Sequence, residues 1–182
     1  MGKGLRAGLA VALAAAALAA GPVVGDAAWA KKAKIKCKVN GEGFKTNVKA
    51  GGAGGVYTPE TQMLILGGAR AKIHGRNPAT VEADIRVIEF GVVSVPDLST
   101  AQLPLSLPVD ETLFSIHRTQ GVNDIETTAW IGEGVTMTIT AFDGSRIKGT
   151  AEGTIPPQVG TDTPAVLEDC KFTLGLDGLP TP

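Results

Sequence analysis

The chain has 182 residues, with 17 Lys and Arg against 18 Asp and Glu, 43% hydrophobic residues and 4% aromatic ones. That length supports one domain with a real core. The near-balanced charge excludes the strongly basic surface that nucleic acid binding requires, so nucleic acid is not an expected partner.

Met1 to Arg6 carries Lys3 and Arg6, and Ala7 to Ala20 is an uncharged run rich in Ala and Leu. These are the first two regions of a secretory signal peptide, and Ala28-Trp29-Ala30 matches the small-x-small cleavage pattern that follows them. Cleavage there starts the mature chain at Lys31, with cuts after Gly25 or Ala28 as alternatives. The apolar run is shorter than the roughly 20 residues a membrane-crossing helix needs, so no membrane span is expected. Residues 1–30 are read as the signal peptide and 31–182 as a single domain. The protein is then exported, periplasmic or extracellular. Without residues 1–30 the chain keeps fifteen Lys and Arg and seventeen Asp and Glu, which leaves it slightly acidic.

Lys34 to Val39 alternates strictly, with Ile35, Cys37 and Val39 on one strand face and Lys34, Lys36 and Lys38 on the other. Near the far end, Cys170, Phe172, Leu174 and Leu176 share a face against Asp169, Lys171 and Thr173. Two cysteines on apolar strand faces of an exported chain predict a Cys37–Cys170 disulfide. In the chain-entropy model so long a closed loop is worth up to about 5 kcal/mol. The lysines from Lys31 to Lys49 are read as solvent-side strand residues, which also discourage edge aggregation.

Asn40-Gly41 is a hairpin signal, and Phe44, Thr46 and Val48 open the return strand. Ala50 to Gly55 reads as a flexible connection. A phosphate-binding loop there would need a helix to follow, and Val56-Tyr57-Thr58-Pro59 does not start one. Gln62 to Leu66 and Ala69 to Ile73 read as two short strands separated by Gly67-Gly68. Thr80 to Phe90 is the clearest long strand, with Val81, Ala83, Ile85 and Val87 expected to face in and Glu82, Asp84 and Arg86 expected to face water. The Pro-rich connection from Gly91 to Glu111 is the expected location of any binding edge. Thr112 to His117 and Thr127 to Ile131 return to strand, the second carrying Trp130.

The stretch from Gly134 to Ile155 is the most regular in the chain. Val135, Met137, Ile139 and Ala141 alternate with threonines, Asp143-Gly144 supplies the turn, and Ile147, Gly149, Ala151, Gly153 and Ile155 line one face of the return strand. A hairpin with one apolar face needs a cover, and a second sheet is expected to supply it.

Chemistry-bearing residues are sparse. His74 and His117 are the only histidines, and no nucleophile, base and orienting group stand in a recognisable pattern, so the chain is expected not to be an enzyme. Asp110, Glu111, Asp124 and Glu126 lack the spacing of a calcium loop, and Glu82 with Asp84 lies beside Arg86 on a polar strand face. No catalytic, metal-binding or cofactor residue is assigned. Phe44, Phe90, Phe114 and Phe172 lie in or at the ends of strands and are expected to pack in the core, and Trp130 is the only tryptophan after residue 30, so the several exposed aromatics of a carbohydrate platform find no support in the sequence.

The Val39-Asn40-Gly41 opening with Phe44 after it, the strand RIKGTAEGTI from Arg146 to Ile155 and the closing strand from Cys170 to Leu176 together resemble the small exported bacterial β-sandwich domains of unknown function, many of them lipoproteins. The resemblance implies a fold and a compartment and no catalytic residue. This chain departs from the lipoprotein members in lacking a lipid-modified Cys and in carrying the Cys37 and Cys170 pair.

The expected fold is an all-β antiparallel β-sandwich of about ten short strands, with a lipocalin-like β-barrel as the alternative. The expected function is that of a non-catalytic module binding a protein or envelope component through its loops or a sheet edge. The alternative is a carrier holding a small apolar ligand in a barrel, a role for which Gly149, Ala151 and Gly153 would leave room.

Overall fold

A computed structural model describes residues 33–47, 52–75, 82–120 and 124–177. The proposed signal peptide lies outside them. Twelve strands are found among the described residues: β1 (Lys34–Val39), β2 (Glu42–Lys45), β3 (Ala53–Thr58), β4 (Met63–His74), β5 (Glu82–Val92), β6 (Leu105–Val109), β7 (Glu111–Gln120), β8 (Asp124–Gly132), β9 (Val135–Phe142), β10 (Arg146–Ile155), β11 (Pro157–Val159) and β12 (Ala165–Asp177). No helix occurs among them.

The strands form two packed layers. The first sheet runs β6-β9-β10-β12-β1-β2, and the second runs β11-β8-β7-β5-β4-β3. The long strand β12 belongs to both, because its last residues pair in parallel with β3 through Leu176 and Gly55. All other pairings are antiparallel. The path ends at β6 and β11 without closing, so the fold is the sandwich and the barrel alternative is set aside.

Local chemistry explains the turns. Asn40 and Gly41 both adopt positive φ, the backbone a two-residue hairpin between β1 and β2 demands. Asp143 holds the β9–β10 turn by accepting from the amides of Ser145 and Arg146. The inward faces then meet as expected: Ile35, Phe44, Met137, Ile139, Ile147 and Phe172 of the first sheet are buried against Leu64, Leu66, Ile88, Phe90, Phe114 and Trp130 of the second. Phe44 meets Phe114 across the layers edge to face, with ring centroids 6.0 Å apart. The small residues of β10 serve packing and leave no room for a ligand. A Cβ on Gly149 would run into the Thr138 carbonyl and the Phe172 ring.

Cys37 and Cys170 are bonded and buried, joining the neighbouring strands β1 and β12 across a sequence separation of 133. Among the described residues no free cysteine remains.

Three strand readings are corrected. Gly67 and Gly68 do not interrupt β4; both stay in the ladder, opposite Glu89 and Ile88. The Pro-rich connection contains an edge strand, β6, which pairs with β9 despite Pro108 because its other side faces no strand. The phase of β5 is also reversed. Ile88, Phe90 and Val92 occupy the core, and Glu82, Asp84 and Arg86 share their face, so Ala83, Ile85 and Val87 point out of the sandwich. The polar end of the inward face is accommodated where the two layers part. There Arg86 binds Asp84 through two nitrogens, at 3.0 and 3.2 Å, and Glu42 of β2 at 2.9 Å. The Arg86 hydrogen bonds hold the Asp84 carboxyl below its usual range. Charges therefore line the mouth and apolar side chains fill the interior.

Candidate functional site

The outward face of the second sheet is built from the alternate residues that the ladders place side by side. Ile65, Gly67, Ala69, Ala71 and Ile73 of β4 lie beside Gly91, Glu89, Val87, Ile85 and Ala83 of β5. Next come Glu111, Leu113, Ser115, His117 and Thr119 of β7, then Ile131, Ala129, Thr127 and Ile125 of β8. Directly opposed residues of an antiparallel pair share a face, so these four rows form one continuous surface. It is mostly aliphatic; its larger side chains Ile65, Ile85, Val87, Leu113 and Ile131 are half-buried, and none of them belongs to the core cluster that joins the two sheets. Ile73 and Ile125 are 61% and 64% exposed, and Val56 of β3 extends the same surface beside Ile65.

Polar groups on this face are few. Glu89 is 6% exposed, leans over Gly67 where no Cβ stands, and makes no hydrogen bond among the described residues. Burial, with a smaller push from Glu111, raises its carboxyl to about 7. Burial also raises Glu111. Beside them, His117 Nε2 lies 3.0 Å from Ser115 Oγ, and its Nδ1 lies 3.1 Å from Thr127 Oγ1.

A serine and histidine at hydrogen-bond distance form the first two parts of an acyl-transfer centre. The third part here is a neutral threonine, which stabilises an imidazolium far less than a carboxylate does. The neighbouring strand amides are committed to the β5–β7 and β7–β8 ladders, so they do not form an oxyanion hole. The chain of Ser115, His117 and Thr127 is a polar stripe crossing an apolar surface, two residues apart on one strand and one strand over.

A second concave feature is a cleft of about 260 Å³ on the inward side of β7 and β8, beyond the core. Ile116, Arg118, Glu126, Thr128 and Trp130 line it, with Gly160 and Thr161 on the facing loop. Trp130 itself is buried, and its indole N–H donates to the Thr163 carbonyl at 2.7 Å. It anchors that loop and offers no open ring face for a sugar.

The other singled-out residues are scattered. His74 is exposed at the end of β4. Asp110 accepts from the Val93 amide, whereas Glu111 and Glu126 lie on opposite faces of the sheet. Asp124 has a side chain outside the described residues. No group of three His, Cys, Asp or Glu able to hold a metal occurs among the described residues. The connection from Gly91 to Glu111, expected to be a binding edge, is pinned by buried Val95 and Leu98 and by the Tyr57 hydroxyl donating to the Pro96 carbonyl. The sheet edges are also blunted: β6 contains Pro108, β11 has three residues and begins with Pro157, and the third edge strand, β2, has four residues, with the Arg70 guanidinium donating to its Gly43 carbonyl.

The outward face escaped the sequence reading because its residues come from four strands. One signal was present: both phases of β5 are apolar, Ala83, Ile85 and Val87 in one and Ile88, Phe90 and Val92 in the other, and a strand covered on one side needs only one. No helix among the described residues is long and apolar enough to cross a membrane. No family model, curated protein or solved structure matches the chain.

Proposed function

We propose that the protein is an exported, non-catalytic binding module that works through the outward face of its second sheet. The observation that carries this reading is the half-buried aliphatic row of Ile65, Ile85, Val87, Leu113 and Ile131, which among the described residues lies on the side of the sheet away from the core cluster. A sheet face of that composition is stabilised when an apolar partner removes it from water, at about 25 cal/mol per Å². The blunted edges favour a face over an edge as the docking surface. The buried disulfide fits an oxidising compartment, in keeping with export.

A photo-reactive phenylalanine analogue placed at Ile85 in the producing cell tests this reading, with one at Thr150 of the first sheet as control. Crosslinks to a protein from position 85 and none from position 150 are expected. Equal crosslinking from both positions, or none from either, overturns the proposal.

A further inference from the structure

The outward face of the second sheet is chemically uniform enough to be its own complement. We infer that its occupant is a second copy of this chain, packed sheet to sheet about a two-fold axis. This rests on the reading of that face as a docking surface.

Size supports the inference. Four strands about 4.8 Å apart, and the run from Ile65 to Ile73 at about 3.4 Å per residue, give a plan area of roughly 600 Å². Two such faces in contact would cover about 1,200 Å² in total, the lower end of the range of stable interfaces. Two sheets meeting face to face sit about 10 Å apart with aliphatic side chains interdigitated, which Ile, Val, Leu and Ala at these positions supply.

Charge sets the orientation. Among the described residues the titratable groups on this face are Glu89 of β5 and Glu111 and His117 of β7; β4 and β8 contribute none. Glu89 and Glu111 occupy one end of the face, and His117 lies towards the other. With the two-fold axis crossing the strands near Val87 and Ser115, the acidic end of one copy covers the Ile85 and His117 end of its mate. Like charges are kept apart, and each acid meets an aliphatic or basic neighbour. An axis along the strands would stack the two acidic ends, so the arrangement across the strands wins.

The opposite side of the sandwich offers no comparable pairing. It carries exposed Lys34, Lys36, Lys38, Lys148 and Lys171 together with exposed Glu152, Glu168 and Asp169, Lys38 being paired with Asp169 at 2.8 Å, so it is a hydrated charged face with no continuous apolar surface to bury.

Sedimentation velocity on the purified protein over a wide concentration range tests the inference, with the double variant Ile85→Thr/Val87→Thr and the control Thr150→Val. A reversible wild-type dimer is expected, with Kd raised tenfold or more in the double variant and unchanged in the control. Circular dichroism establishes that the double variant remains folded; should it unfold, Leu113→Thr replaces it with the same expected rise in Kd. A monomer at every concentration, or a dimer indifferent to the face variants, overturns self-pairing. A monomeric wild type that still crosslinks from position 85 to a different protein overturns self-pairing and leaves the docking surface standing. A monomer with no crosslink overturns both.

Discussion

The two outer faces of this sandwich meet the same solvent with opposite chemistry. The first sheet turns out charged residues and threonine: Lys36 and Lys38 on β1, Thr136 and Thr140 on β9, Lys148, Thr150, Glu152 and Thr154 on β10, and Glu168, Asp169 and Lys171 on β12, all exposed. The second sheet turns out Ile65, Val87, Leu113 and Ile131. One sheet follows the ordinary rule for a half-buried antiparallel layer, apolar in and polar out. The other carries aliphatic side chains on both sides over much of its length, with Glu89, Glu111 and the Ser115–His117–Thr127 stripe as the polar groups of its outward face and Arg86 and Asp84 where the layers part. The difference teaches that alternation alone does not say which strand face is interior. In the second sheet the large aromatic side chains mark the interior, because Phe90, Phe114 and Trp130 fill volume that Ala83, Ile85 and Val87 could not.

Neighbouring residues of β7 give the largest test of that contrast. Phe114 fills the core and Leu113 the outward face. Phe114→Ala should cost about 3 to 5 kcal/mol, and Leu113→Ala in dilute protein about 1 kcal/mol or less. Urea titration of both variants measures the gap, and equal costs would mean that the outward face is already covered in the monomer. Cys37→Ser comes next, with an expected loss of about 2 to 5 kcal/mol and a melting point lower by several degrees or more. That loss should appear without any change in dimer affinity, because the disulfide lies between the layers and touches neither outer face.

Glu89→Gln tests the acid on the open face, and the sign follows from its raised pKa. The unfolded carboxyl titrates near 4.5 and the folded one near 7. Below 4.5 both states hold the proton. As pH rises from about 4.5 to about 7 the unfolded chain loses it first, so the native state loses stability relative to the unfolded one, and above 7 the loss is complete. At 1.36 kcal/mol per pKa unit the loss is at most about 3 kcal/mol, and water reaching the carboxylate reduces it to about 2. Glu89→Gln should therefore be more stable than wild type at pH 8 by about 2 kcal/mol and indistinguishable from it at pH 4, as read by denaturant titration at the two pH values. A constant offset between the proteins at both pH values would refute the assignment.

Thr112→Val is the smallest test. Thr112 is fully buried on the inward face, and its hydroxyl has no hydrogen-bond partner among the described residues. Replacing the hydroxyl by a methyl should raise stability by about 1 kcal/mol, measured as a small increase in Tm. A decrease would indicate a partner for that oxygen.

The β9–β10 hairpin was legible from Val135 to Ile155 because three signals agree there: strict alternation, Asp143-Gly144 at the reversal, and small residues at Gly149 and Ala151 where Phe172 comes close. The disulfide was legible because Cys37 and Cys170 each share a period-two face with aliphatic or aromatic residues. The strand β6 was hidden by Pro104 just before it and by Pro108 within it, which an edge strand tolerates. The unbroken β4 was hidden by Gly67-Gly68; at Gly68 a side chain would run into Thr46 and Ala53, whereas at Gly67 it would only press lightly on the Ile88 carbonyl beside Glu89. The candidate surface was hidden for a different reason. Its residues are spread from Ile65 to Ile131, and only the register of four strands brings Glu89, Leu113, Ser115 and Ala129 onto one face.

Hydroxyl-radical footprinting of the purified protein, read by mass spectrometry in dilute and in concentrated solution, reports on the outward face residue by residue. On this account Ile85, Leu113 and Ile131 should be oxidised more than core Ile139 and Phe90 when dilute and become protected when concentrated, while Ile139 and Phe90 stay protected throughout. Protection of Ile85, Leu113 and Ile131 equal to that of Ile139 in the dilute protein would contradict it.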